Sequence, residues 1–407
     1  MAKNPEITNP YCLKPVSRRT ALKLIVAAFA ASATGDMPSG GGVPTLSRVV
    51  GNDRFDLWGW EFKNAPIAWK RLSEGKSIEY PEEVVKAYFS SGPRLKELEP
   101  DTEFILGRQI KEKYNQAGIF SRMPNAIAFI DQPQAIFISP ERKIEVIDRM
   151  PLRPGLTLEQ EEGIEEKAER ELRVSALVVD IDGWATWPAG IVRGKGLFFS
   201  IKAAAHEIGH QILAGTPLGR SYSLHHIISS IPFFGQFNLA RFLGFPFDND
   251  IAIMNEVMAN LLAESISQKV IDQYYPQDQG FQPVENLEAR PITTDFNAIL
   301  RTTRILVDQH LAAGQVNSAR SLMQETRDRL NALGFSIRKL NQVFLAVNGF
   351  YADYSSAVGS NAEGPATTGE MMTELWQNLP LAEFYYKVSN MTGVSDLEKA
   401  YKLSRKF

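Results

Sequence analysis

The sequence predicts an α+β fold, with a mixed upstream half and an almost wholly helical downstream half. Three observations predict it. Short runs rich in Ile, Val and Phe, at 126–130, 135–138 and 176–181, have the length and composition of strands. Apolar residues recur at helical spacing from Met254 onward. Between these parts a proline-free, mostly apolar run from Gly196 to Ala205 leads into His206-Glu207-Ile208-Gly209-His210, and reads as a buried helix carrying an H-E-x-x-H pentapeptide.

Taken in order, residues 34–45 form a flexible linker by their Gly, Ser and Pro content. Residues 65–120 read mostly helical, with a start at Pro81-Glu82-Glu83 and a break at Ser91-Gly92-Pro93. A charged helix is expected over 157–172, beginning at Thr157 with Glu161 and Glu162 near its first turn. The strand at 176–181 leads through Gly183-Trp184 to Pro188; residues 176–192 could be an edge that pairs with an extended peptide, or plain sheet core. Downstream, helices are expected at 295–312 and 316–332, joined at Ala313-Gly314-Gln315. Others follow near 337–349, 367–378, 380–391 and 395–404, and Ser355 to Thr368 reads as a loop. The domain reading is a signal segment (1–33), a linker (34–45), an α+β catalytic region (46–265) and a helical lobe (266–407), with the site in the cleft between the last two.

The pentapeptide carries the chemistry. Positions i and i+4 share a helix face, so His206 and His210 can hold one Zn²⁺ while Glu207 serves as base toward the metal's water. Gly209 inside a helix costs about 1 kcal/mol against alanine, which points to close approach by another backbone. A catalytic zinc usually takes a third protein ligand and keeps one open position. The residues after His210 do not give the H-E-x-x-H-x-x-G-x-x-H spacing. Glu256 is the better candidate. It lies beside the stripe Met254, Val257, Met258, Leu261 and Leu262, and a buried carboxylate is expensive unless paired or metal-bound. Glu264, two turns on, is the alternative; Asp248 and Asp250 are weaker. Tyr222, His225, His226, Tyr351 and Tyr354 are candidate oxyanion donors. The apolar stretch 227–235 could line a pocket, touch a membrane or be buried.

His206-Glu207-x-x-His210, followed by Asn255-Glu256 on a second helix, resembles the gluzincin class of zinc peptidases. That resemblance covers roughly residues 195–265 and implies a zincin-like core with a small β-sheet. It implies His206, His210 and Glu256 as zinc ligands and Glu207 as catalytic base. The segments 217–220, 254–256 and 338–342 also resemble a loose group of bacterial H-E-x-x-H proteins.

The N-terminus carries an address. Ser17-Arg18-Arg19-Thr20-Ala21-Leu22-Lys23 matches the twin-arginine export pattern; a short apolar stretch and Ala31-Ser32-Ala33 follow. The expected destination is extracytoplasmic, periplasmic or secreted, with a retained signal anchor as the alternative. The expected partners are a peptide or protein substrate and the twin-arginine export machinery. The single cysteine, Cys12, precedes the apolar stretch, so thiolate ligation of zinc in the mature chain is excluded. Residues 1–33 carry five basic residues against Glu6, a net of +4; with −3 for the whole chain, the remainder is −3 − 4 = −7. That balance argues against nucleic acid as the main partner, and no later apolar run predicts a permanent membrane span. The functional expectation is an exported zinc metallopeptidase. The alternatives are a non-catalytic envelope protein with a structural or degenerate metal site, and a zinc amidase acting on cell-wall substrates.

Overall fold

Helices and two small sheets alternate through the upstream half of the chain, giving a mixed α+β architecture. The computed structural model describes residues 45–75, 77–91, 96–120, 125–219, 249–276, 294–347 and 368–405. The expected signal segment and residues 34–44 of the expected linker lie outside the described residues. So do Asp248, Tyr222, His225, His226, the stretch 227–235, Tyr351 and Tyr354.

Thr45, expected in the linker, instead caps α1 (Leu46–Val50) by accepting from Arg48 N. α2 (Leu57–Glu74) is capped by Asp56 and begins eight residues before the expected helical stretch at 65. α3 (Pro81–Ser91) and α4 (Glu99–Gln116) follow. Then come β1 (Ile127–Ile130), β2 (Gln134–Pro140) and β3 (Asp148–Leu152). α5 (Leu158–Leu172) opens on a capping box in which Thr157 and Gln160 satisfy each other's backbone N–H groups. β4 (Val174–Asp180), β5 (Gly183–Trp184) and β6 (Ala189–Val192) lead into α6 (Leu197–Leu213).

One sheet has the order β3-β2-β4 and is antiparallel. Pro151 is tolerated in β3 because that strand lies at the edge. The other has the order β1-β6-β5, with β1 parallel and β5 antiparallel to β6. Arg193, just past β6, grips the Glu99 carboxylate with two donors at 2.8 and 3.0 Å and gives a third bond to Phe129 O. This clamp ties the entry of α6 to α4 and β1.

α7 (Asn249–Tyr274) packs along α6. Beyond it are α8 (Thr294–Ala312), α9 (Val316–Ala332), α10 (Thr368–Asn378), α11 (Leu381–Ser389) and α12 (Val394–Ser404). Residues 342–347 are also helical. The helix expected from 337 starts five residues late because Asn341 Oδ1 accepts from Phe344 N at 2.9 Å, which is a capping bond.

Three apolar cores organise these elements. The largest joins α3, α4, β1, β6, α6, α7 and α10 to α12. A second lies between α1, α5 and one face of the β3-β2-β4 sheet. A third gathers α8, α9 and residues 337–346 against Ile144 and Val146. The boundary expected at 265/266 falls inside the continuous helix α7, and the helices beyond it are divided between the first and third cores. No described helix is long and apolar enough to cross a membrane.

Glu103 on α4 is almost wholly buried, taking Phe129 N–H at 2.6 Å and an Arg71 guanidinium N–H at 2.5 Å. Burial pushes its carboxyl up to about 7, outweighing the lowering by Phe129 and Arg71, and Glu99 adds to the rise. The folded chain therefore holds this proton to higher pH than the unfolded chain. The stability linked to it is complete below the ordinary carboxyl range and is lost as pH rises through about 7. The melting temperature is expected to fall between about pH 5 and about pH 8, and Glu103→Gln to flatten that fall. Parallel melting curves for variant and wild type across this range would refute it.

Candidate metal centre

His206 and His210 lie on one face of α6, one turn apart, where α7 crosses closest. Gly209 sits at this crossing. A β-carbon there would crowd Tyr114 Oη at 3.3 Å and meet Ala259 Cα of α7 in ordinary contact at 3.5 Å. On the α7 side, Met254, Val257, Met258, Leu261 and Leu262 are fully buried, as their spacing predicted. That seating turns Asn255 and Glu256 toward the histidines. Tyr114, fully buried on α4, donates to Ala205 O at 2.7 Å, in the turn just before the motif.

Three donor atoms converge. The two Nε2 atoms are 3.0 Å apart, and Glu256 Oε2 lies 3.6 Å from His206 Nε2 and 3.3 Å from His210 Nε2. His206, His210 and Glu256 are the one group among the described residues with the make-up of a metal site. His210 Nδ1 sits 2.6 Å from Asn255 Oδ1. A carboxamide oxygen only accepts, so Nδ1 carries the proton and the Nε2 lone pair faces the cluster. Burial raises the pKa of Glu256, but the His210 and His206 imidazoles outweigh it and hold the carboxyl well below its ordinary range.

Glu207 projects beside this cluster and is buried. Burial pushes its carboxyl up to about 7, against the lowering by His206, with Glu256 and Asp182 adding to the rise. Its neighbour is Gly183 of β5. A β-carbon at Gly183 would stand 2.9 Å from Glu207 Oε1 and 2.5 Å from Gly190 O, so only glycine lets strand, partner and carboxyl lie this close. Val192 N–H donates to Asp182 O at 3.3 Å, which marks Asp182 and Val192 as a bonded pair. Bonded and non-bonded pairs alternate in an antiparallel ladder, so the Gly183 N–H and C=O turn away from β6. Gln211, one residue past His210, fastens the next loop by donating from Nε2 to Thr186 O.

The other candidates separate from this group. Glu264 pairs with Lys202 at 2.9 Å, with both side chains about half exposed. Asp250 is exposed in the first turn of α7. The expected edge over 176–192 divides between the sheets: β4 ends one and β5 ends the other. Sequence reasoning assigned no role to Asn255 or Tyr114, and none to Gly183 beyond its place in the expected edge over 176–192. Adjacency to Glu256 was a usable signal for Asn255, whereas Tyr114, 92 residues from His206 in sequence, offered none. No family model, curated protein or solved structure matches this chain.

Gly209→Ala is expected to be nearly neutral. The gain of about 1 kcal/mol in helix propensity offsets a shift of a few tenths of an ångström at Tyr114 Oη. Gly209→Val adds two methyl groups where none fit and is expected to cost about 1–3 kcal/mol. It should also weaken metal binding by moving Glu256 away from the histidines. Denaturant unfolding and metal titration check both; a valine variant as stable as wild type would show that α6 and α7 have room to spare.

Proposed function

We propose that this chain is an exported zinc metallopeptidase of the gluzincin type, with a zincin-like core in which His206, His210 and Glu256 hold the metal and Glu207 is the general base. The observation that carries the reading is the convergence of the three donors. Their separations of 3.0, 3.3 and 3.6 Å bracket the edge of a tetrahedron about a cation with bonds of about 2.0–2.1 Å, which is about 3.3–3.4 Å. The donor set also fits zinc chemically: two imidazoles, one of fixed tautomer, and one carboxylate that stays ionised. Three donors from the described residues leave room for the open position of a catalytic site. Bound there, zinc would supply a Lewis acid that polarises a carbonyl and brings the pKa of a water toward neutrality.

The protein's own groups divide the rest of the work. Asn255 fixes the ring of His210 and keeps its proton on Nδ1. Glu207 takes a proton on its carboxylate from the attacking water and returns it to the leaving amine nitrogen, so that a peptide bond and a water become a carboxylate and an amine. Gly183 presents main-chain N–H and C=O groups beside Glu207, where an extended peptide can pair with β5. Arg18 and Arg19 in the twin-arginine pattern support export of the folded, metal-loaded chain.

Elemental mass spectrometry is expected to find one zinc per purified chain, lost in both His210→Ala and Glu256→Ala. Metal-free wild type after zinc refilling would favour the non-catalytic envelope protein. Glu207→Gln is expected to keep zinc and fold but lose hydrolysis of denatured protein by at least about a hundredfold. Full turnover in that variant would remove Glu207 from its role, and turnover confined to peptidoglycan fragments would make the enzyme an amidase.

A further inference from the structure

Two pairs of aromatic rings join α2 and the residues before it to β5 and the loop after it, and none of the four rings belongs to the three cores. Phe55 stacks on Trp184 with ring planes 5° apart, and Trp69 meets Trp187 at 6.1 Å. Trp69 is 47% exposed. Glu61 accepts from Trp187 N at 3.0 Å, which fixes the loop that carries this ring. Two buried polar atoms here have no hydrogen-bond partner: the donor Trp184 Nε1 and the acceptor Gln211 Oε1. Leaving such groups unsatisfied costs about 1–3 kcal/mol each. Both side chains belong to residues tied to Thr186, whose carbonyl accepts from Gln211 Nε2 and whose hydroxyl reaches Trp184 O at 3.4 Å.

We propose that Trp184, stacked with Phe55 and followed three residues later by the ring of Trp187 on Trp69, is a specificity subsite for an extended peptide carrying a large apolar side chain. The subsite rests on the peptidase reading and names its substrate class. The argument is one of strand geometry. Side chains alternate across a strand, and the β-carbon position of Gly183 faces Glu207, so Trp184 faces the opposite side of the sheet. A peptide paired along Gly183 has the same alternation. Its residue beside the reacting bond lies on the Glu207 side, and the next residue lies over Trp184. The Gly183 N–H and C=O, turned away from β6, match the one acceptor and one donor that each peptide unit offers. A glycan lacks that regular pairing.

The test uses the zinc-loaded Glu207→Gln chain, which does not hydrolyse its ligand, and acetyl-Ala-Ala-Xaa-Ala-Ala-amide peptides with Xaa as Phe, Leu, Gly or Asp. Calorimetry is expected to show Phe and Leu peptides binding about tenfold more tightly than Gly or Asp peptides. Adding Trp184→Ala should erase that ratio while the Gly peptide still binds, a pattern that general loss of structure does not produce. Trp69→Ala, at an exposed position, should reduce the ratio about threefold and guards against a misfolded Trp184 variant. Equal affinity for all four peptides, a ratio untouched by both substitutions, or binding of N-acetylated oligosaccharides in place of peptides would overturn the subsite. Side-chain-selective binding without hydrolysis by wild type would support the subsite and remove the peptidase reading. Hydrolysis by wild type without Trp184 dependence would do the reverse.

Discussion

The close packing of α7 along α6 is the constraint on which the site depends. Two imidazoles one turn apart on a helix face are common enough; what makes them a cluster is a carboxylate delivered from a second helix at 3.3–3.6 Å. Glu is short, so the helix axes must come close, and Ala259 of α7 packs against Gly209 of α6. The fully buried stripe of α7 then sets its rotation. A turn of α7 by one residue, about 100°, would carry Glu256 out of reach of both histidines. Packing supplies the driving force here, and the polar cluster takes its geometry from it.

That dependence explains the buried polar groups around the motif. Asn255, 1% exposed, is satisfied by His210, and Tyr114 by the Ala205 carbonyl. Each bond is worth roughly 1 kcal/mol, but the groups cost more if left unpaired, so their partners are held in one arrangement. Glu256 stays ionised only because two imidazoles oppose its burial. Glu207, packed against a strand and a glycine, is also drawn down by His206 and Arg149, but its burial outweighs them. Two glutamates of the same centre thus differ in charge preference through their neighbours alone.

The helix-borne part of the site was legible in the sequence because its signals are periodic. H-E-x-x-H fixes a face, and the stripe from Met254 to Leu262 fixes another. The same periodicity was too coarse to exclude Glu264. Eight residues from Glu256 turn a helix by about 80° beyond two full turns, and that rotation sends Glu264 out to Lys202. Strand pairing was harder to read. β5 is two residues long, β3 contains Pro151, and β1 pairs with β6 across more than fifty residues, so none leaves a local pattern. Nor does an amphipathic pattern say what covers a helix. The downstream helices each show a clear apolar face, yet α8 and α9 serve one core and α10 to α12 another.

A difference in attachment separates the two sides of Glu207. On the donor side, α6 and α7 belong to the largest core and have little freedom to shift. On the strand side, α2 has no described side chain in a core. It is held instead by Arg71 on Glu103, by Glu61 on the Trp187 N–H and by tryptophan edges. Segments with few buried apolar contacts open at lower free energy than core helices. A metal centre needs donors fixed to a few tenths of an ångström, whereas a peptide strand must enter and leave along β5. Rigid helices under the donors and a polar-fastened helix beside the strand edge give each process the stiffness it requires.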